Sequence, residues 1–219
     1  MRKSLLFVLI FLLSASPLFA EKISDAQFIK ICENGTSQEI LDSLKSGANP
    51  RAKDEHGQNA LMYAVRGNIT PEIINAFLNA GVDINYKAVE GETVLMIAAA
   101  VNNKPEIINT LLKLGADVNA EDKYGNTALM SAAAVNTPEI VKILLNAGIK
   151  VNTKNYHDLT PLMFAASNTK YQEIINILLD SGADVKIRDK SGKMAVDYAR
   201  ENENLKGSDA LGRLEELSK

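Results

Sequence analysis

The chain has 219 residues, and its 24 lysines and arginines against 27 aspartates and glutamates give a formal net charge of −3. This acidic balance argues against general nucleic-acid binding, which needs a basic face, and the composition is neither that of a disordered chain nor that of a fibrous one. Cys32 is the only cysteine, so an internal disulfide is excluded, and a lone thiol of this kind is commonly a small buried hydrophobe.

The first twenty residues have the pattern of a secretory signal peptide. Arg2 and Lys3 precede an apolar run from residue 5 to residue 13, and the segment ends on small residues at Ala20. The run is shorter than the ~20 residues of a membrane-spanning helix. We therefore expect residues 1–20 to be removed, with a cut after Ser16 or an uncleaved anchor as alternatives. The mature protein is expected to be exported, periplasmic or secreted, with no membrane insertion after cleavage.

The rest of the chain repeats itself. The leucine of an "LM" phrase recurs at steps of 34, 34 and 33 residues, with a degraded copy 34 residues further on: Leu61, Leu95, Leu129, Leu162 and Val196. A glycine follows nearly the same period at positions 47, 81, 115, 148 and 182. A period near 33 residues predicts a solenoid of small stacked units.

Each unit is predicted to contain two helices. The first begins after an N-capping residue, which is Asn59, Thr93, Thr127 or Thr160, and contains paired alanines that let neighbouring helices approach closely. The second begins at a phrase such as "TPE", with Thr70 or Thr137 as the cap, proline at the first helical position and glutamate in the first turn. The periodic glycines are expected to end each second helix.

The phrases "LTPLMFAA" (residues 159–166) and "EIVKILLNAG" (residues 139–148) resemble the repeat pattern of the ankyrin-repeat family, and the resemblance covers roughly residues 24–217. It implies an all-α solenoid of about ten short helices, arranged as helix-turn-helix units with projecting β-hairpin-like arms. We expect one domain over residues 21–219. Its parts are an N-terminal cap unit (24–53), four repeats (54–87, 88–121, 122–154, 155–188) and a C-terminal cap unit (189–219).

The family pattern has histidine after the leucine, where this chain has methionine in four repeats: Met62, Met96, Met130 and Met163. The simpler interpretation is that flexible methionine side chains fill gaps between stacked helices. The alternative is an oxidation-sensitive row, because sulfoxide formation makes such a side chain polar.

No motif for catalysis, metal binding or cofactor binding is found in the sequence. The nucleophile motif G-x-S-x-G and the phosphate-binding G-x-x-x-x-G-K are absent, and the two histidines, His56 and His157, occupy equivalent positions three repeats apart. A glutamate recurs at the start of the second helix in each repeat. This recurrence indicates a favourable interaction with the helix dipole rather than acid–base catalysis. We therefore expect no enzymatic activity, no metal and no cofactor.

The resemblance implies that the hairpin tips and the exposed side of each first helix form a concave surface that binds other proteins. The corresponding residues here differ from copy to copy: Glu55, His56, Gln58, Val89, Glu90, Glu92, Lys123, Tyr124, Asn126, Tyr156, His157, Leu159, Lys190, Ser191 and Lys193 at the tips, with Arg66, Val101, Val135 and Asn168 at the helix ends. An apolar, tyrosine-containing centre with a polar rim is typical of binding hot spots. The sequence thus predicts a monomeric protein-binding module. A secreted effector that engages a host protein and a self-associating envelope scaffold are the alternatives.

Overall fold

The computed structural model describes residues 23–67 and 69–219, so the predicted signal peptide lies outside the described residues. Within these ranges the chain forms twelve α-helices and one short 3-10 helix at Glu203–Leu205. In chain order the helices are α1 (Asp25–Asn34), α2 (Ser37–Lys45), α3 (Ala60–Ala64), α4 (Pro71–Asn79), α5 (Val94–Val101), α6 (Pro105–Lys113), α7 (Ala128–Val135), α8 (Pro138–Asn146), α9 (Pro161–Asn168), α10 (Gln172–Asp180), α11 (Ala195–Glu201) and α12 (Asp209–Leu217).

The helices stack in two layers. The odd-numbered helices pack against one another in order from α1 to α11, and the even-numbered helices do the same from α2 to α12. Each unit contributes one helix to each layer. The number of helices is twelve rather than about ten because both end units also form a complete pair. Among the described residues, no helix combines the length and hydrophobicity that crossing a membrane requires.

Small and flexible side chains fill the space between the odd-numbered helices. The paired alanines at positions 98–99, 132–133 and 165–166 are fully buried. All four periodic methionines are buried as well, and Met96 is the most exposed of them, at 6%. The methionine row therefore belongs to the core, as gap-filling predicts.

The expected caps form at most of the first helices. Asn59, Thr93 and Thr160 each accept a hydrogen bond from the backbone N–H three residues later. Thr127 was predicted to do the same, but it makes no such bond, and its buried Oγ1 has no hydrogen-bond partner within the described part of the chain. The capping prediction is also wrong for Thr70, at the start of α4, where proline at the first helical position and Glu72 in the first turn favour the helix start instead.

Thr137, at the start of α8, does not cap either. As in α4, a proline stands at the first helical position, and a glutamate lies in the first turn, where the helix dipole stabilises negative charge. The glycines predicted to end the second helices all adopt positive φ, between 82° and 92°. They therefore take the left-handed conformation expected after a helix end.

The projecting arms are tight loops rather than regular hairpins. In each one a backbone N–H donates to the carbonyl four residues later, as Asp54 does to Gln58 at 3.1 Å and Asp122 to Asn126 at 3.0 Å. Over residues 23–67 and 69–219 the structure contains no β-strand, and a single antiparallel β-bridge joins Lys53 to Asn59. The β-hairpin-like character of the arms thus lies in their closing hydrogen bonds.

Buried asparagines connect neighbouring units between the two layers. The side-chain amide of Asn136 donates to the carbonyls of Ala99 and Asn102, at 2.8 and 3.1 Å. Asn102 donates in the same way to Val65, and Asn202 to Ala166 and Thr169. Since buried carbonyl groups must be paired, these amides fix the spacing between successive units.

Candidate functional site

Five loops form a continuous edge along the stack. We call them the tip loops, and they comprise residues 54–58, 88–92, 122–126, 155–159 and 189–193. A backbone hydrogen bond links each tip loop to the next: Val89 N–His56 O at 3.0 Å, Lys123 N–Glu90 O at 2.9 Å, Tyr156 N–Tyr124 O at 2.9 Å and Lys190 N–His157 O at 3.1 Å. The predicted site residues at the tips are therefore held in fixed relative positions.

A side-chain oxygen at the first position of four tip loops holds each loop closed. Oδ1 of Asp54 accepts from the backbone N–H groups of His56 and Gln58, at 3.0 and 2.7 Å. The same two bonds are made by the side chains of Asp122, Asn155 and Asp189 in their own loops. The sequence prediction did not include these positions, although their spacing along the repeat could have identified them.

Two of these aspartates also accept a hydrogen bond from a tyrosine. Tyr63 donates to Asp54 at 2.7 Å, and Tyr198 donates to Asp189. Burial raises the pKa of each carboxyl group, but the tyrosine bond and the backbone N–H bonds lower it more, so both pKa values lie below the ordinary value. Both aspartates are therefore ionised at neutral pH and act as structural acceptors.

The second tip loop lacks the side-chain oxygen that closes the other four loops, because Ala88 stands at its first position. The fourth loop has a different departure. Asp158 occupies the position of the tip glycines and adopts φ 60°, a conformation that aspartate tolerates better than most residues. Lys154 Nζ lies 3.2 Å from its Oδ1. The second and fourth loops thus differ from the others in backbone support.

The predicted tip residues divide by position within the loop. Those at the second and third positions are exposed, except for the half-buried Glu90, whereas those at the fifth position are half-buried: Gln58, Glu92, Asn126, Leu159 and Lys193. Leu159 packs against the core and is less available to a partner than the sequence suggested. At the helix ends, Val101, Val135 and Asn168 are the last residues of α5, α7 and α9, and Arg66 follows α3.

Large apolar side chains are exposed at only six of the described positions. Five of them belong to the predicted site: Val89, Val101, Tyr124, Val135 and Tyr156, with exposures from 47% to 68%. The sixth is Leu217, in the last helix. Because exposed apolar groups cluster at interaction sites more than elsewhere, this distribution distinguishes the predicted surface from the rest of the chain.

Charged and polar contacts connect neighbouring tip loops. Lys123 forms an ion pair with Glu90, and the hydroxyl of Tyr124 donates to the same carboxylate at 3.1 Å. The hydrogen bond from Lys123 lowers the pKa of Glu90, and the pKa of Lys123 is raised in return. The ring of Tyr156 packs against Gly125 of the preceding loop. Both tyrosines are thus held in place before any partner arrives.

A second polar chain crosses the first two loops. Arg66 donates to Oε1 of Gln58 at 2.8 Å, and the Gln58 amide donates to Oε2 of Glu92 at 3.1 Å. The guanidinium of Arg66 also lies over the ring of Tyr63, 5.0 Å from its centroid. Four residues from two neighbouring units are therefore joined on the inner side of the stack.

The remaining predicted residues are more isolated. The Asn168 amide donates only within its own helix, to Phe164 O at 3.3 Å, and Lys193 pairs with Glu201 at 2.9 Å.

In the described ranges, no group of three or more His, Cys, Asp or Glu side chains is placed to hold a metal ion. Cys32 is buried, and burial raises the pKa of its thiol to about 12. The thiol is therefore protonated and unreactive at neutral pH.

Comparison with known proteins agrees with this architecture. A search of curated proteins found no match. The family model described as ankyrin repeats (3 copies) matches residues 28–122 and 95–189, which together make up more than half of the chain. The stacked helix pairs, the tip loops and this match lead to one conclusion: the chain belongs to the ankyrin-repeat family.

Proposed function

We propose that this protein is a non-enzymatic interaction module that binds a partner protein on its tip loops and inner helix ends. Ankyrin repeats are generally protein–protein interaction modules and are typically non-enzymatic. The observation that carries the proposal is that, in the part of the chain that the structure describes, five of the six exposed large apolar side chains lie on this surface. Their polar neighbours, such as Lys123 and Glu90, supply the rim that such interfaces usually have.

The mechanism is display of side chains on a rigid support. The backbone bonds between tip loops fix the positions of Val89, Tyr124 and Tyr156 in the free protein. Binding then orders few additional groups, so less conformational entropy is lost than with a flexible surface. Tyrosine contributes a large contact area at low entropic cost, which makes Tyr124 and Tyr156 the expected anchors.

A variant pair tests this proposal. The mature protein is used to capture partners from its own cells, and the affinity of one identified partner is then measured by titration calorimetry. The double substitution Tyr124→Ala and Tyr156→Ala should weaken binding by about 2 kcal/mol or more, because tyrosine anchors often contribute this much. Leu217→Ala is the control, since it removes the exposed apolar residue that lies outside the surface. Unchanged affinity in the tyrosine variant, with an unchanged melting temperature, argues against this surface.

Export is part of the proposal and rests on the pattern of residues 1–20. Fractionation of cells, with detection of the mature N-terminus by mass spectrometry, distinguishes a periplasmic protein from a secreted effector. Light scattering addresses oligomeric state: a partner-specific binder is expected to be monomeric, whereas a self-associating scaffold gives a larger mass.

A further inference from the structure

A cavity of about 160 Å³ lies on the inner side of the stack, between the second and third repeats. Helices α5 and α7, the second and third tip loops and Arg66 supply its walls. An engineered cavity of ~150 Å³ is enough to hold a benzene molecule. The cavity is therefore large enough for one side chain of a bound protein.

The cavity lies where two neighbouring repeats lack an aromatic residue that three other units have at the same position. The position two residues after the periodic leucine is occupied by Tyr63, Ile97, Ser131, Phe164 and Tyr198 in the five successive units. Ile97 and Ser131 are the two non-aromatic members, and both line the cavity. In the units with tyrosine, the hydroxyl bonds to the aspartate at the start of the tip loop. The third repeat retains that aspartate, Asp122, without the tyrosine, and Oδ2 of Asp122 accepts instead from the side-chain amide of Asn126 at 3.0 Å.

The walls combine acceptors with apolar surface. Two carboxylates, Glu92 and Asp122, line the cavity together with one cation, Arg66, which gives a net charge of −1. Arg66 is engaged with Gln58 and with the ring of Tyr63. Thr127 contributes a buried hydroxyl that has no hydrogen-bond partner among the described residues.

The apolar wall includes Met96, Ala100 and Val101. Such a wall suits the methylene groups of a long side chain, and a guanidinium has enough donors for several acceptors at once. Arginine also matches carboxylates geometrically and is enriched at the centre of interfaces.

We propose that this cavity receives an arginine side chain of the partner protein. The proposal rests on the proposed function, since it specifies the chemistry of one contact on the same surface. The guanidinium lies between the carboxylates of Glu92 and Asp122, and its methylenes contact Met96 and Val101.

The test uses short peptides, so it does not depend on identifying the partner. The probes are Ac-Gly-Gly-Arg-Gly-Gly-NH2 and the same peptide with citrulline, which has nearly the shape of arginine but no charge. Each is titrated into 15N-labelled mature protein, and the backbone amide shifts of residues 92, 127 and 131 are followed. We expect saturable shifts with the arginine peptide and about tenfold weaker binding of the citrulline peptide, because hydrogen bonds to charged groups are stronger than neutral ones.

Ser131→Tyr is the decisive variant because it fills the cavity with a residue that the fold accepts elsewhere. Its hydroxyl can bond to Asp122 as Tyr63 does to Asp54, beside the Asn126 amide that already donates to Oδ2 of Asp122, so the melting temperature should not fall. Binding of the arginine peptide should be lost. Ser131→Ala is the matched control, since it leaves the space open, and it should retain binding within about twofold.

Equal binding of the two peptides, or undiminished binding of the arginine peptide by a folded Ser131→Tyr protein, overturns the proposal. So does an absence of shifts in the wild-type protein at peptide concentrations up to the solubility limit. These results do not contradict the proposed partner-binding surface, because the tyrosine variants at the tips test that surface separately.

Discussion

The close stacking of the tip loops makes one glycine much more sensitive than its equivalents. Gly91 in the second tip loop has φ 82°, and a Cβ placed on it lies 2.7 Å from the backbone nitrogen of Lys123 and 3.1 Å from two backbone atoms of Asp122. Gly192, in the equivalent position of the last tip loop, also has φ 82° but no atom within 4 Å of its Cβ position. Substitution by alanine therefore imposes the same backbone conformation at both sites and a steric clash at only one.

The expected magnitudes follow from these two terms. A left-handed conformation costs alanine ~1–2 kcal/mol, and the reduced freedom of the unfolded chain returns ~0.4–1 kcal/mol. Gly192→Ala should therefore destabilise by between about 0 and 1.6 kcal/mol. Gly91→Ala adds the displacement of backbone atoms, for which overpacking typically costs ~1–3 kcal/mol. The free energy of unfolding of Gly91→Ala should thus lie about 1–3 kcal/mol below that of Gly192→Ala, and about 1–5 kcal/mol below that of the wild type.

Urea denaturation measures the difference directly. With a slope of ~2 kcal/mol/M, a loss of about 2 kcal/mol lowers the midpoint by about 1 M. Gly115→Ala serves as a second control, because Gly115 belongs to a central repeat, has φ 92° and likewise has no atom within 4 Å of its Cβ position. Equal midpoints for the three variants would refute the close packing of the second and third tip loops.

Three further predictions concern individual side chains of the stack. Asn136→Ala should lower the free energy of unfolding by about 2–3 kcal/mol, because it leaves the carbonyls of Ala99 and Asn102 without their hydrogen bonds. The control Asn146→Ala, at an exposed position, should change the free energy of unfolding by less than ~0.5 kcal/mol. Similar values for the two variants would contradict the role of the buried amide. The pKa of Asp54 lies below its ordinary value of 3.8, so its stabilising effect is complete above that pH and is lost as the pH falls through the lowered pKa. The stability advantage of the wild type over Asp54→Asn should therefore shrink below pH 3.8 in parallel urea titrations, and an advantage that grows on acidification would show the opposite sign. Cys32 has a buried thiol with a pKa of about 12, so it should react with a chromogenic disulfide reagent at pH 8 only after unfolding; rapid reaction in the native protein is the contrary result.

The regular features of the fold could be predicted from the sequence because they recur in every copy. The spacing of the leucines and glycines indicates the units, and the paired alanines and methionines indicate the packed face of each first helix. Local caps were less predictable. Thr127 and Thr160 stand in the same kind of phrase, yet only Thr160 caps its helix, because a hydrogen bond depends on side-chain placement that residue type does not determine.

The candidate surface could be predicted in outline and not in detail. The exposed positions of Val89, Tyr124 and Tyr156 follow from their place in the repeat, but the half-buried state of Leu159 depends on its contacts with the core. The loop-closing side chains of Asp54, Asp122, Asn155 and Asp189 were not predicted, although they recur at the repeat period. The cavity beside Ser131 lies where two units both lack an aromatic residue, and only the structure reveals how closely these two units approach each other.

The central claim is that the tip loops and inner helix ends bind a partner protein. Hydrogen–deuterium exchange of the mature protein, with and without a captured partner, tests it most directly. Slower exchange in the complex over residues 88–92, 122–126 and 155–159, with unchanged exchange in the outer helices α6 and α8, is the result that this account predicts. Protection confined to α6 and α8, with the tip loops unaffected, would contradict it.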